Sequence, residues 1–155
     1  MKHVKIFIGV LVCVGAGVWV SHAVAPCANF WQSTMTTPTQ TLHVALRITP
    51  QEQATGLAGC KNVPNNTGMA FIFLTLQDEV FWMKGMLIPI DIVWIAGSKV
   101  VGIEHHVPNE PLGTPDEALK QYASPEGVDM VLEIGADTAS KYGIEVGSTL
   151  ILVRK

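Results

Sequence analysis

The chain of 155 residues contains no block of basic residues. Nucleic acid and anionic lipid are met by clustered Lys and Arg, so neither is expected as a partner. G-x-G-x-x-G and phosphate-loop motifs are missing, and with them the common signatures of nucleotide binding. No serine sits in a G-x-S-x-G elbow. Cysteine is scarce, with only Cys13, Cys27 and Cys60, and their spacing fits neither a zinc site nor a C-x-x-C redox pair. His105 and His106 are adjacent; on a strand they point to opposite faces and cannot share one metal ion. A metal site would have to join His43, one of these two and an acid. No metal and no cofactor are therefore expected. The chain also lacks internal repeats and low-complexity tracts.

What is present begins with an export signal. Lys2 and Lys5 precede an apolar run from Ile6 to Val20, and small residues follow, which is the three-part plan of a secretory signal peptide. Ser21-His22-Ala23 puts small residues at the two positions a signal peptidase reads, predicting cleavage after Ala23. Ala23-Val24-Ala25 also fits, but Pro26 would then follow the cut. The alternative is an uncleaved anchor. The apolar run falls short of the ~20 residues of a spanning helix, and Ser21 to Ala25 nearly make up the difference. A lipoprotein is not expected, because Cys27 follows Pro26 where a small residue is wanted. The expected location is periplasmic or secreted, with anchoring to the inner membrane by residues 6–25 as the variant. Once Lys2 and Lys5 leave with the leader, eight basic residues face thirteen acidic ones. Cys27 and Cys60 would then sit in an oxidising compartment, where a disulfide between them can form. Either that bridge or two free thiols fits the spacing.

Three segments follow from composition: a leader or anchor over 1–23, a Thr-, Ser- and Pro-rich linker over 24–40, and a single domain over 41–155, long enough for one core. In LHVALRI, Leu42, Val44, Leu46 and Ile48 alternate with His43, Ala45 and Arg47, predicting a strand with one buried face. Thr49, Pro50 and Glu52 form a capping box that opens a short helix, ended by Gly56 and Gly59. MAFIFL (69–74), DIVWI (91–95), VVGIEHHV (100–107), VDMVLEI (128–134) and TLILV (149–153) read as further strands. Gly97-Ser98 is a tight turn. ADTASKYG reads as a short helix with Asp137 near its start and Gly143 at its end. Residues 108–127 form the long loop. The expected fold is mainly β: a compact antiparallel β-sandwich or small barrel with two or three short helices.

FWMKGMLIPIDIVWI (81–95) holds two ionisable side chains, Lys84 and Asp91, among apolar residues. Pro89 cannot donate to a ladder, so FWMK and DIVWI are expected to be two strands. Pairing Lys84 with Asp91, and closing the next hairpin on Gly97-Ser98, aligns Lys84, Asp91 and Glu104 in one row, with His106 one step along. The two opposite charges would then cancel across the sheet. Asp91 beside Glu104 would be either a structural arrangement or a carboxylate pair with one raised pKa. A slip of one residue would move Glu104 to the other face.

GLAGCKNVPNNTGMAFIF, FWMKGMLIPIDIVWI, GSKVVGI and VLEIGADTASKYGIEVGSTL, in this order, resemble the bacterial and archaeal family known as domain of unknown function 192. The resemblance covers about Thr41 to Val153. It implies a single compact, mostly β domain, often behind a signal peptide, and no established activity. The matching motif residues include Gly56, Leu57, Gly68, Met69, Trp82, Lys84, Pro89, Asp91, Glu133 and Gly143. Where the family usually carries polar groups, this chain has Gly85 and Met86, Ala58 and Cys60, Gly135, and Ser148.

Two functional readings result. The first is a non-catalytic binding module in which Trp82, Lys84, Asp91, Glu104, Glu133 and the loop 108–127 serve a small polar ligand, a sugar or glycan among the options, or an envelope protein. In this reading the membrane is met only through the N-terminal segment. The second is a hydrolase or lyase using Asp91 or Glu133 with Lys84.

Overall fold

The structure, a computed structural model, describes Cys27 and residues 32–154. The leader and its cleavage point lie outside the described residues. The fold is mainly β, with nine strands among the described residues: β1 (Ser33–Thr36), β2 (Thr41–Arg47), β3 (Thr67–Gln77), β4 (Val80–Trp82), β5 (Ile90–Ala96), β6 (Lys99–Val107), β7 (Gln121–Ala123), β8 (Val128–Gly135) and β9 (Ile151–Arg154). Two short helices, α1 (Pro50–Thr55) and α2 (Thr138–Lys141), lie between them.

Seven strands form one sheet in the order β6-β5-β8-β3-β2-β1-β9. The sheet curls until its edges meet. Lys99 at the start of β6 bridges Thr149 just ahead of β9. Around that bridge, Val100 N–H donates to the Ser148 carbonyl at 3.0 Å and Leu150 N–H to the Ser98 carbonyl at 2.9 Å. This closure makes a small barrel and leaves little unpaired edge. Its interior is a cluster that includes Met35, Leu42, Val93, Leu132, Ile134 and Leu150, all nearly inaccessible to solvent. A second cluster coats the outside of β3, β5 and β8 through Phe71, Ile92, Trp94 and Val131. The chain after α1 covers it with Leu57 and Cys60, and the turn after β4 adds Met83 and Met86. Because β5 and β8 are buried on both faces, their sequences read as nearly continuous apolar runs.

The sheet is mixed. β2 and β3 run parallel, with Ala45 opposite Met69 and Leu46 opposite Ala70, while the other neighbours are antiparallel. A parallel pair needs a crossover, and α1 supplies it. The expected capping box is present: Thr49 Oγ1 accepts from Glu52 N–H, and the Glu52 carboxylate accepts from Thr49 N–H at 2.9 Å. Gly56 then ends the helix at φ +47°.

Two expectations about boundaries give way. Among the described residues the sheet already starts at Ser33, ahead of Thr41. Residues 33–36, assigned to the linker by composition, form β1 between β2 and β9, with Met35 fully buried. The Thr-rich sequence hid an alternation in which only Ser33 and Met35 point inward. The long loop 108–127 carries a single 3-10 turn at Asp116–Ala118 and then β7, which pairs with β4 in a two-stranded sheet. Cys27 and Cys60 are joined in a disulfide, 33 positions apart.

Gly68, on β3, lies where β8 crosses closest. A Cβ there would stand 2.8 Å from Ile134 Cγ2 and 3.0 Å from the Glu133 carbonyl oxygen. Gly68→Ala is expected to destabilise the domain by about 1–3 kcal/mol, read from urea unfolding midpoints.

Candidate functional site

Asp91 is wholly buried and points into the barrel end that α2 closes. Its Oδ1 accepts the N–H groups of His106 at 2.8 Å and Asp137 at 3.0 Å, and its Oδ2 accepts that of Ala139 at 2.8 Å. His106 and Asp137 both hold left-handed backbone conformations, φ +48° and +63°. One carboxylate thus fixes the end of β6 and the start of α2 together. Asp137, expected near the start of α2, occupies the N-cap position but makes no side-chain cap; Asp91 captures the free amides instead.

The expected Lys84–Asp91 pair does not exist. β4 pairs with β7, and both neighbours of β5 are other strands, β6 and β8. Lys84 lies in the turn after β4 and bonds Asp116 at 2.6 Å, both side chains being about half exposed. The expected row across the β5–β6 hairpin also fails. Its turn closes as expected with Ala96 opposite Lys99, but β6 then carries an extra residue between Val100 and Gly102. The next partners shift by one, so Glu104 stands opposite Ile92 instead of Asp91, and a second irregularity between Ile90 and Ile92 shifts the register again. Glu104 therefore lies on the outer face and Asp91 on the inner.

Glu133 is the other buried carboxyl group, 6% exposed, on β8 between Met69 of β3 and Ile92 of β5. It faces outward, away from Asp91. It forms the floor of a pocket of about 230 Å³. Phe71 and Phe81, edge to face at 4.9 Å, stand in the wall together with Leu57, and Trp82 and Lys84 form the rim. Trp82 is nearly half exposed, and the Lys84 ammonium lies 5.6 Å from its ring centre. Glu133 Oε2 is buried without a hydrogen-bond partner. Burial pushes its carboxyl up to about 8, and the positive charge of Arg47 on β2 offsets part of the rise. Near neutral pH the group is therefore mostly an uncharged acid.

Of the residues expected to form a site, the structure gathers Trp82, Lys84 and Glu133 and leaves Asp91 and Glu104 elsewhere. Sequence reasoning missed Phe71, Phe81 and Leu57 as pocket walls and Arg47 as the charge near Glu133. Their signal was the crossover: once β2 and β3 are parallel, α1 must lie over the outer face beside them.

A closed β-barrel with a pocket on its outer face defines the class of protein. The chain belongs to the family described as "Uncharacterized ACR", domain of unknown function 192, whose model matches residues 32–152. Two solved structures share the fold. One, a protein of unknown function from Novosphingobium aromaticivorans DSM 12444, is 24% identical with a TM-score of 0.66, over 77% of this chain and 82% of that one. The other, from Sinorhizobium meliloti 1021 and suggested to be a transcription regulator, is 25% identical with a TM-score of 0.68, over 77% and 92%. No curated protein matches the chain.

Removing the Asp91 acceptor leaves three amides unsatisfied, so Asp91→Ala is expected to cost about 3 kcal/mol or more. Lys84→Met breaks only an exposed ion pair and should cost less than about 1 kcal/mol. Denaturant titrations of both variants check the contrast.

Glu133 makes stability depend on pH. Its folded value of about 8 lies above the ordinary carboxyl value, so the folded state keeps a proton that the unfolded state releases. Its contribution is complete below the unfolded value and falls as pH rises toward 8. Through this group the protein should lose on the order of 5 kcal/mol between acid and mildly alkaline pH. Glu133→Gln cannot titrate and should remove that decline in unfolding curves taken across the range.

Proposed function

We propose that the protein is a non-catalytic binding module of the cell envelope, and that a small polar ligand enters the pocket above Glu133. The observation that carries this reading is the buried, unpartnered Oε2 at the base of an aromatic-walled opening. A buried polar atom without a partner is costly, and a ligand that reaches it relieves the cost. Trp82 at the rim offers a flat apolar face, the kind of surface on which a sugar ring or another flat body stacks. Binding is preferred to hydrolase or lyase chemistry because Asp91 is engaged by three amides on the other face of the sheet, and Lys84, the base that would work with Glu133, is held by Asp116 at the rim. The two carboxyl groups cannot act on one substrate from opposite sides of a sheet.

The module is proposed to work outside the cytoplasm, periplasmic or secreted, with residues 6–25 as an inner-membrane anchor where the leader is retained. The Cys27–Cys60 disulfide supports this, since such bonds persist in oxidising compartments. The excess of acidic over basic residues gives no support to nucleic-acid binding, as the Sinorhizobium relative's description would suggest.

The test is a thermal-shift screen of the full chain against monosaccharides, organic amines and carboxylates. A ligand at a hundred times its Kd stabilises by about 2.7 kcal/mol, enough to raise Tm by several degrees. Ala54→Trp, an exposed α1 position lining the pocket, should fill the opening without disturbing the core and abolish the shift. Shifts that survive Ala54→Trp, or no shift with any class, would overturn the reading.

A further inference from the structure

We infer that the pocket takes an organic cation, an amine or quaternary ammonium head carried on a small apolar body. This rests on the pocket being a ligand site and adds the class of ligand. Four aromatic side chains line the opening: Phe71 and Phe73 from β3, Phe81 and Trp82 from β4. Aromatic faces are negative at their centres and attract cations once water is displaced. Two carboxyl groups line the same space, Glu133 at the floor and Glu79 ahead of β4. Among the described residues the one lining cation is Lys84, held by Asp116 at the rim. Arg47 on β2 is close enough to Glu133 to influence its charge but does not line the pocket. The lining therefore offers two acids, four rings and a single, already paired base. A neutral ligand would leave the negative faces of the four rings unanswered, and an anion would face two acids.

Binding then has a proton balance. The free protein holds Glu133 as the uncharged acid near pH 7, because burial raises its carboxyl value to about 8. An arriving cation stabilises the carboxylate, and the displaced proton passes to the buffer. Affinity should consequently rise with pH toward 8 and level off above it. Among the described residues Arg47, beside Glu133, and Glu79 and Lys84, in the pocket lining, are the other charged groups, and none is consumed in this exchange.

The experiment is titration calorimetry of the full chain with choline and 2-phenylethylamine, each beside a neutral counterpart, 3,3-dimethylbutan-1-ol and 2-phenylethanol. Runs at pH 7 in two buffers of different ionisation enthalpy count the protons released. At least one cation should bind about tenfold or more tighter than its neutral counterpart, releasing close to one proton. Glu133→Gln should erase both the preference and the proton. The inference is overturned if neither cation binds, if the neutral counterparts bind as well, or if Glu133→Gln keeps the preference. In each of those cases a sugar or carboxylate whose thermal shift is lost in Ala54→Trp leaves the pocket reading standing while the cation falls.

Discussion

The Asp91 carboxylate ties the end of β6 to the start of α2, a junction that His106 Nδ1 and the Asp137 carboxylate, 3.1 Å apart, also bridge. His106 at the end of β6, Asp137 after β8 and Ala139 inside α2 all direct their amides at its two oxygens. Two of these residues adopt a backbone conformation that costs non-glycine residues energy, and the charge-assisted bonds offset that cost. The result is a plugged barrel end. With α2 fixed there, Ala139, Tyr142 and Ile144 complete the interior that Leu132 and Ile134 begin. A fully solvated carboxylate could not do this; burial without these amides would cost several kcal/mol.

The sequence carried seven of the nine described strands, the capping box, the hairpin turn at Gly97-Ser98 and the family likeness. It did not carry which strands are neighbours. FWMK and DIVWI adjoin in sequence, and the natural reading pairs them. In space β8 takes the place beside β5, and β4 leaves the barrel to join β7. The error in the Glu104 row has a narrower cause. One extra residue near Val101 reverses the faces of the stretch from Gly102 to Glu104, and alternation alone does not reveal such a bulge in a strand where both faces hold apolar residues. β1 escaped notice for a related reason: Thr and Ser are neutral between strand and linker, and only tertiary contact with β2 and β9 decides the matter.

The two buried carboxyl groups show how position sets chemistry. Asp91 and Glu133 sit on adjacent strands, and Asp91 lies opposite Ile134, the next residue after Glu133. One step along the strand sends the side chain to the other face. On the inner face a carboxylate meets amides and stays engaged. On the outer face it meets phenylalanine rings and an opening, and it keeps its proton. Asp91 was legible as an oddity in the apolar IPIDIVWI, whereas Glu133 in MVLEI was reached only through the family likeness. Their different fates depend on which loops fold back over each face, and that is decided by the β2–α1–β3 crossover and the β8–α2 turn.

The Cys27–Cys60 bond gives the chain a second point of entry into the domain. Cys60 belongs to the segment behind α1 that covers the outer face, whereas the backbone itself arrives at β1. Tension applied to the chain ahead of Cys27 would be shared across the sulfur bridge and delivered to the pocket side, sparing the hydrogen bonds of a four-residue strand. Mechanically, the domain hangs from its lid rather than from its hem.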